Sequence, residues 1–77
     1  MDEPRPDPLC AAFGGRLRRL RETRSLSQEQ LAHLAGLDRT YISSCEAGRR
    51  NVTIKTIEKL ARALEVDAGV LVSDRCR

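Results

Sequence analysis

Two adjacent side chains suited to molecular recognition lie in the segment "GLDRTYISSCEAGRRN", residues 36–51. Arg39 carries a rigid fork of N–H donors that fits paired acceptors, such as O6 and N7 of guanine. Thr40 offers a methyl group and a hydroxyl, which can meet a thymine methyl or a polar atom on a base edge. Ser43 and Ser44 follow within about one helical turn. These residue types suit binding to a base edge rather than bond-making chemistry, but taken alone Arg39 is equally explained as a solvated surface arginine, and the surrounding motif must decide.

The residues around this group predict a short helix over roughly 38–47. Asp38 suits the N-cap position, because its carboxylate can accept hydrogen bonds from the free N–H groups of the first turn. Gly48 can take the left-handed conformation that ends a helix. Ile42 and Cys45 are spaced to point inward, which leaves the polar side chains on the opposite face. A helix this short is not stable alone, so it must pack on other elements.

A second helix precedes it and opens at Ser27. Ser27 and Gln30 form an S-x-x-Q capping box, Gly36 stops the helix, and its inner face carries Leu31, Ala32 and Ala35. Two helices joined by a short turn that contains glycine, here "AGLD", form a helix-turn-helix. The second helix of such a pair can enter a DNA major groove and present its first residues to the bases.

Three further helices are predicted. The first runs from about Leu9 to Arg24 and contains Gly14 and Gly15, which either weaken its start or permit close packing. The fourth spans about 54–64 after a Thr53 cap. Asp67 caps a short fifth helix. No segment shows the alternation of a strand.

The sequence therefore predicts an all-α fold, a compact five-helix bundle with a helix-turn-helix. Residues 9–72 form the single DNA-binding domain, which includes the helices for dimerisation. Residues 1–8 are a disordered lead-in with three prolines. Residues 73–77 form a frayed tail.

The charge distribution favours a polyanionic partner. The formal net charge of the 77 residues is +3, with −2 in residues 1–8 and +5 in residues 9–77. The folded part is thus the basic part, as expected of a protein that binds double-stranded DNA.

Several other classes of protein are excluded by the sequence. No apolar run approaches the roughly 20 residues that span a bilayer, and the N-terminus does not resemble a secretory signal. The three cysteines show neither a disulfide framework nor zinc-ligand spacing, and Cys45 is expected to be a small buried apolar residue. A cytoplasmic protein without membrane contact is expected.

Catalysis is not expected either. His33 is the single histidine, and with Glu29 it predicts a weak surface pair rather than a catalytic one. No motif places a nucleophile beside a base, and there is no Gly-rich phosphate loop or metal-ligand cluster. We therefore expect no enzymatic activity, no cofactor and no metal. No part of residues 9–72 is left to form a sensor domain, so no small-molecule ligand is expected.

The segment "LSQEQLAHLAGLDRTYISSCEAG" resembles the phage-repressor and Cro family of helix-turn-helix proteins. Within that family, "LDRTYIS" and "RRNVT" are similar to the controller proteins of bacterial restriction–modification systems, which are small dimeric regulators. The likeness covers about residues 9–72. It implies a sequence-specific transcriptional regulator that binds a two-fold symmetric operator as a homodimer and acts on its own promoter.

The resemblance also implies roles for individual residues. The positions that match base contacts are Arg39, Thr40, Ser43 and Ser44. Those that match DNA-backbone contacts are Gln28, Tyr41, Arg50 and Asn51, and Arg49 joins them as a basic neighbour. Arg21 and Glu46 match a pair that forms a buried salt bridge in some members. The sequence departs at Cys45, where Ile or Leu is usual, which implies a looser core. It also departs at Ala47, where a polar residue is common, which removes one phosphate contact.

A homodimer built from the fourth and fifth helices is predicted, because a single helix-turn-helix contacts too few base pairs for high affinity. The fourth helix carries more apolar residues than one small core needs. The residues expected at the two-fold interface are Ile57, Leu64, Val66, Val70 and Leu71.

Two other classes of function are compatible with a small helical chain. An antitoxin-type module that mainly binds a protein would usually need an added partner-binding segment, although a partner can also bind the folded surface. A purely structural helical domain does not explain why four small polar or basic side chains share one helix face.

Overall fold

The computed structural model describes residues 7–72, so most of the predicted lead-in and the whole predicted tail lie outside the described residues. Five helices follow one another without a strand in this part of the chain: α1 (Pro8–Thr23), α2 (Gln28–Ala35), α3 (Arg39–Glu46), α4 (Ile54–Leu64) and α5 (Ala68–Val72). The predicted all-α class with five helices is confirmed, and each helix lies within about two residues of its predicted range.

The core is mostly aliphatic, with Phe13 as its buried aromatic side chain, in a chain that has only one Phe and one Tyr. Every helix contributes at least one side chain with no exposed surface: Leu17, Leu31, Ile42, Leu60, Leu64 and Leu71. Partly buried apolar residues, among them Leu20, Leu37 and Val52, pack around this centre. The helix-turn-helix is therefore held by α1 on one side and by α4 on the other.

The close packing of α1 against α3 depends on Gly14. A Cβ atom placed there would overlap the carbonyl oxygen of Cys45 and lie 2.7 Å from that of Glu46. Gly15 has no atom within 4 Å of the same hypothetical position. Of the two explanations offered for these glycines, close packing applies to Gly14, whereas Gly15 only lowers helix propensity.

Local interactions explain where the helices start and stop. Asp7 accepts a hydrogen bond of 2.8 Å from the backbone N–H of Leu9, and α1 therefore starts at Pro8, one residue earlier than predicted. Thr53 caps α4 as predicted. Two non-glycine residues adopt the left-handed conformation at helix ends, Ser25 with φ 57° and Glu65 with φ 60°. The strain at Glu65 is accompanied by an ion pair of 3.0 Å with Arg24.

Two residues predicted for a dimer interface lie elsewhere. Leu64 and Leu71 are 0 % exposed within the folded chain, so no surface of either remains for a second copy, and that prediction is wrong for both. The hydrophobic stripe of α4 and the short α5 close over the chain's own core instead. Ile57 and Val66 are partly buried and Val70 is 44 % exposed, so these three can still contact a partner.

Candidate nucleic-acid interface

The start of α2 and the turn after it are built by local hydrogen bonds. Ser27 accepts from the backbone N–H of Gln30 (3.0 Å), and the Gln30 side chain accepts from the N–H of Ser27 (2.8 Å), which completes the predicted capping box. Gly36 has φ 70°, and the N–H of Leu37 reaches back to the Ala32 carbonyl at 2.8 Å. This left-handed turn ends α2 and directs the chain into α3.

The rotation of α3 about its axis is set by its buried face. Ile42 is 0 % and Cys45 is 1 % exposed, and both pack into the core. Burial raises the pKa of the Cys45 thiol, so the side chain is neutral and behaves as a small apolar residue, as predicted. With these two side chains inward, the opposite face must lie at the surface.

The expected base-reading residues occupy that outer face. Arg39, Thr40 and Ser43 are exposed, and Ser44 is half-buried. Within residues 7–72, the side chains of Arg39, Thr40 and Ser43 make no hydrogen bond or ion pair. Their donors and acceptors are therefore available to a ligand at the N-terminal end of α3.

Asp38 does not act as the sequence predicts. It occupies the N-cap position, with φ −81° and ψ 143°, but its carboxylate accepts no hydrogen bond from the first turn. Its backbone carbonyl instead accepts from the N–H groups of Tyr41 (3.0 Å) and Ile42 (3.2 Å). The α3 helix is anchored by packing rather than by this cap, and the carboxylate remains free.

Arg21 and Glu46 lie in contact and tie α1 to α3 and to the loop before α2. The Arg21 guanidinium donates from Nε to Glu46 Oε2 (2.6 Å), from Nη2 to Glu46 Oε1 (3.0 Å) and from Nη1 to the Leu26 carbonyl (2.7 Å). The two side chains are only 11 % and 5 % exposed. These hydrogen bonds to Glu46 raise the pKa of Arg21, although burial acts in the opposite direction. The pair fixes the last turn of α3 against α1.

Gln28 extends this network to the first turn of α2. Its Nε2 donates to Glu46 Oε1 at 3.2 Å. Because a carboxylate can only accept, this contact sets which end of the amide faces Glu46. One N–H of the Gln28 side chain is used in this way, and the second remains for the expected phosphate contact.

The segment after α3 brings together further expected DNA-backbone residues. The guanidinium carbon of Arg50 lies 5.0 Å from the centroid of the Tyr41 ring, a cation–π distance. The Asn51 side-chain oxygen faces the Cys10 thiol at 4.0 Å, while Arg49 is exposed. Gly48 (φ 78°) lets the chain turn here against α1, since a Cβ would lie 2.9 Å from the Cα of Ala11.

The structure also shows what sequence reasoning missed. The stacking of Arg50 on Tyr41 joins residues nine positions apart, and no sequence motif indicates it. The contact between Cys10 and Asn51 has no sequence motif either. Ala47 ends α3 and is exposed, and the loss of a phosphate contact there stays a prediction. His33 and Glu29 are exposed, and they form no ion pair with each other in the described part.

The described residues form neither a metal site nor a membrane-spanning helix. No group of three or more His, Cys, Asp or Glu side chains within residues 7–72 can hold a metal ion. None of the helices in this range is both long and apolar enough to cross a bilayer.

Comparison with known proteins gives a consistent result. Residues 12–73 match the helix-turn-helix domain family. The chain is 44 % identical over 63 residues to the control protein C.MunI of a Mycoplasma species, covering 80 % of this chain and 85 % of that protein. The crystal structure of the restriction–modification controller protein C.AhdI from Aeromonas hydrophila matches with a TM-score of 0.79 and 50 % identity, over 80 % of this chain and 94 % of the other.

A third controller protein, C.Esp1396I, has been solved as a tetramer in complex with its natural 35-base-pair operator. It matches with a TM-score of 0.78 and 37 % identity, covering 84 % of this chain and 86 % of that one. The outward polar face of α3, the buried Arg21–Glu46 pair and these likenesses lead to one conclusion: the chain belongs to the helix-turn-helix family of restriction–modification controller proteins.

Proposed function

We propose that the chain is a sequence-specific DNA-binding regulator of transcription, which binds a two-fold symmetric operator as a homodimer and controls a restriction–modification operon that includes its own gene. One observation carries this proposal: exposed, unpaired Arg39, Thr40 and Ser43 side chains lie at the outer face of a helix whose other face is locked into the core. Such a helix can enter a major groove without rearrangement. The DNA-bound controller C.Esp1396I supports the same assignment.

The proposed contacts divide into two groups. Base edges are read by the outer face of α3, through Arg39, Thr40, Ser43 and Ser44. The DNA backbone is held on both sides of that face, by Gln28, Tyr41, Arg49, Arg50 and Asn51. Phosphate contacts give affinity and register, whereas base contacts give specificity. The stacking of Arg50 on Tyr41 supports the second group, because it orients a cation beside the reading helix.

The proposed dimer uses the apolar surface that α4 and α5 leave outside the core. Ile57 and Val66 are partly exposed, Val70 is 44 % exposed, and Ile54, one turn before Ile57, is 84 % exposed. A contiguous patch of exposed apolar residues favours contact with another chain, and the proposed interface is such a patch formed by these residues. A two-fold dimer would place the two reading helices about 34 Å apart, one turn of B-DNA.

The proposal includes regulation of transcription through DNA binding alone. The chain is not an enzyme, needs neither cofactor nor metal, and works in the cytoplasm, where its DNA lies. The relatives named as control proteins support this assignment.

Selection of bound duplexes from a random pool tests the proposed function. The expected result is a site with two-fold symmetry, whose half-sites recur about one helical turn apart, bound by a dimer in sedimentation at micromolar concentration. A pool without any enriched sequence, or a strictly monomeric protein even with DNA present, would contradict the proposal.

Two arginine variants then distinguish base recognition from binding to the DNA backbone. Arg39→Ala should cost about 1–3 kcal/mol on the selected site and relax the preference at one base pair per half-site. Arg50→Ala is the matched control, with the same charge change. It should weaken selected and random DNA alike and reduce the salt dependence by about one phosphate per subunit. If Arg39→Ala lowers the affinity for selected and random DNA by equal factors, Arg39 contacts a phosphate rather than a base.

A further inference from the structure

The unused carboxylate of Asp38 calls for an explanation. It lies at the N-cap of α3, exposed, and it makes no hydrogen bond or ion pair within residues 7–72. Arg39 and Thr40, the proposed reading residues, follow it directly. A free negative charge at this end of α3 would face a polyanion and be repelled by its phosphates. Such a charge weakens binding unless it meets a hydrogen-bond donor on the DNA.

Donors are scarce in the major groove. The phosphates and most base-edge atoms there are acceptors, and the two donors are the amino groups of cytosine (N4) and adenine (N6). An ionised carboxylate is acceptor-only. Adenine presents its N7 acceptor beside the amino group, which opposes a carboxylate, whereas the major-groove edge of cytosine presents the donor alone. Cytosine is therefore the base that this side chain fits.

We propose that Asp38 is a specificity-determining residue, whose carboxylate accepts a hydrogen bond from the N4 amino group of a cytosine. That cytosine lies in the base pair next to the one that Arg39 reads, because the two residues are consecutive at the start of α3. This inference rests on the proposed function and deepens it. Asp38 selects by attraction to one amino group and by repulsion from the acceptor edges of guanine and thymine.

Duplex selection with three variants tests this role. Asp38→Asn keeps a good N-cap residue but replaces the carboxylate with an amide, which pairs with N6 and N7 of adenine. The preference at one position per half-site should shift from cytosine to adenine, by about tenfold. Asp38→Ser should lose the preference there. Asp67→Asn is the control, because it removes the same charge from an exposed residue just before α5 and should leave the selected site unchanged.

A base analogue tests the single hydrogen bond. Pyrimidin-2-one in place of the cytosine removes only the N4 amino group. Wild-type binding should fall about tenfold on the analogue, whereas Asp38→Ser, with no carboxylate, should bind both duplexes equally. Thermal melting of each variant establishes that the fold is retained.

Three results would overturn the inference. One is an equal loss on the analogue for wild type and Asp38→Ser. Another is a uniform change of affinity for all sequences, which would make Asp38 an electrostatic residue only. The third is a loss of preference at the guanine read by Arg39, which would make Asp38 a support for that side chain. A wild-type selection without any enriched site would instead refute the proposed function.

Discussion

Gly14→Ala should destabilise the fold, although alanine is the better helix former by up to ~1 kcal/mol. The added Cβ would overlap the carbonyl oxygen of Cys45 and lie 2.7 Å and 2.9 Å from the carbonyl oxygen and carbon of Glu46. All three atoms belong to backbone, so no side chain can rotate away. To restore ordinary van der Waals contact, α1 and α3 would have to separate by roughly 1 Å.

The cost of that separation has two parts. Overpacking of a close helix contact costs about 1–3 kcal/mol. The same movement draws the backbone of Glu46 away from Arg21, and a hydrogen bond of 2.6 Å lengthened by about 1 Å is no longer a good one. After subtraction of the gain in helix propensity, we expect a loss of about 2–4 kcal/mol. For a domain of this size, that lowers Tm by roughly 10 °C or more.

Gly15→Ala is the matched control, because it adds the same methyl group one residue further along α1, where nothing lies within 4 Å. It should raise the free energy of unfolding by about 0.5–1 kcal/mol. Thermal melting followed by far-ultraviolet circular dichroism measures both variants. If Gly14→Ala melts at or above the wild-type temperature, α1 does not approach α3 as closely as described, and the reasoning fails.

Three more predictions concern residues of α3 and their contacts. Glu46→Gln and Arg21→Met should each lower the free energy of unfolding by about 3–5 kcal/mol, because the remaining charge is left buried and unpaired; unchanged melting would show that the pair is unimportant. Tyr41→Leu should weaken DNA binding by about 0.5–1 kcal/mol more than Tyr41→Phe, because both variants lose the hydroxyl proposed to contact the DNA backbone but only Tyr41→Leu also loses the Arg50 stack; equal losses in a filter-binding assay would mean that the stack contributes nothing. Because burial raises the pKa of Cys45, the folded state binds the thiol proton more tightly than the unfolded state. Stability should therefore be full at neutral pH and fall as pH rises above about 8.5. In denaturant titrations at several pH values, Cys45→Val should show a smaller fall of the free energy of unfolding with rising pH than wild type. If the two proteins lose stability in parallel, the Cys45 thiol is not the cause.

The elements that sequence predicts well are those set by neighbouring residues. The capping box of Ser27 and Gln30 and the cap of α4 by Thr53 are complete in the structure, because each needs only residues three apart. The inward positions of Ile42 and Cys45 follow from helical spacing. These local signals suffice to place the reading face of α3 outward.

Features that depend on distant residues escape this reasoning. An apolar stripe on α4 shows which side is buried but not what buries it, and Leu64 is therefore core rather than interface. The N-cap position of Asp38 predicts that its carboxylate accepts hydrogen bonds from the first turn of α3, yet this position does not determine the side-chain rotamer. Ser25 and Glu65 adopt left-handed backbone because tertiary packing outweighs residue preference at those helix ends.

One face of α3 is buried in the core and the other is exposed, and this difference affects how the amino-acid sequence of such a chain can change in evolution. Ile42 and Cys45 hold the helix, whereas Arg39, Thr40 and Ser43 contribute almost nothing to the core. Substitutions at exposed positions of this kind usually change stability by no more than about 0.5 kcal/mol. A lineage can therefore change the residues of this face by single steps, without passing through ancestors that fail to fold.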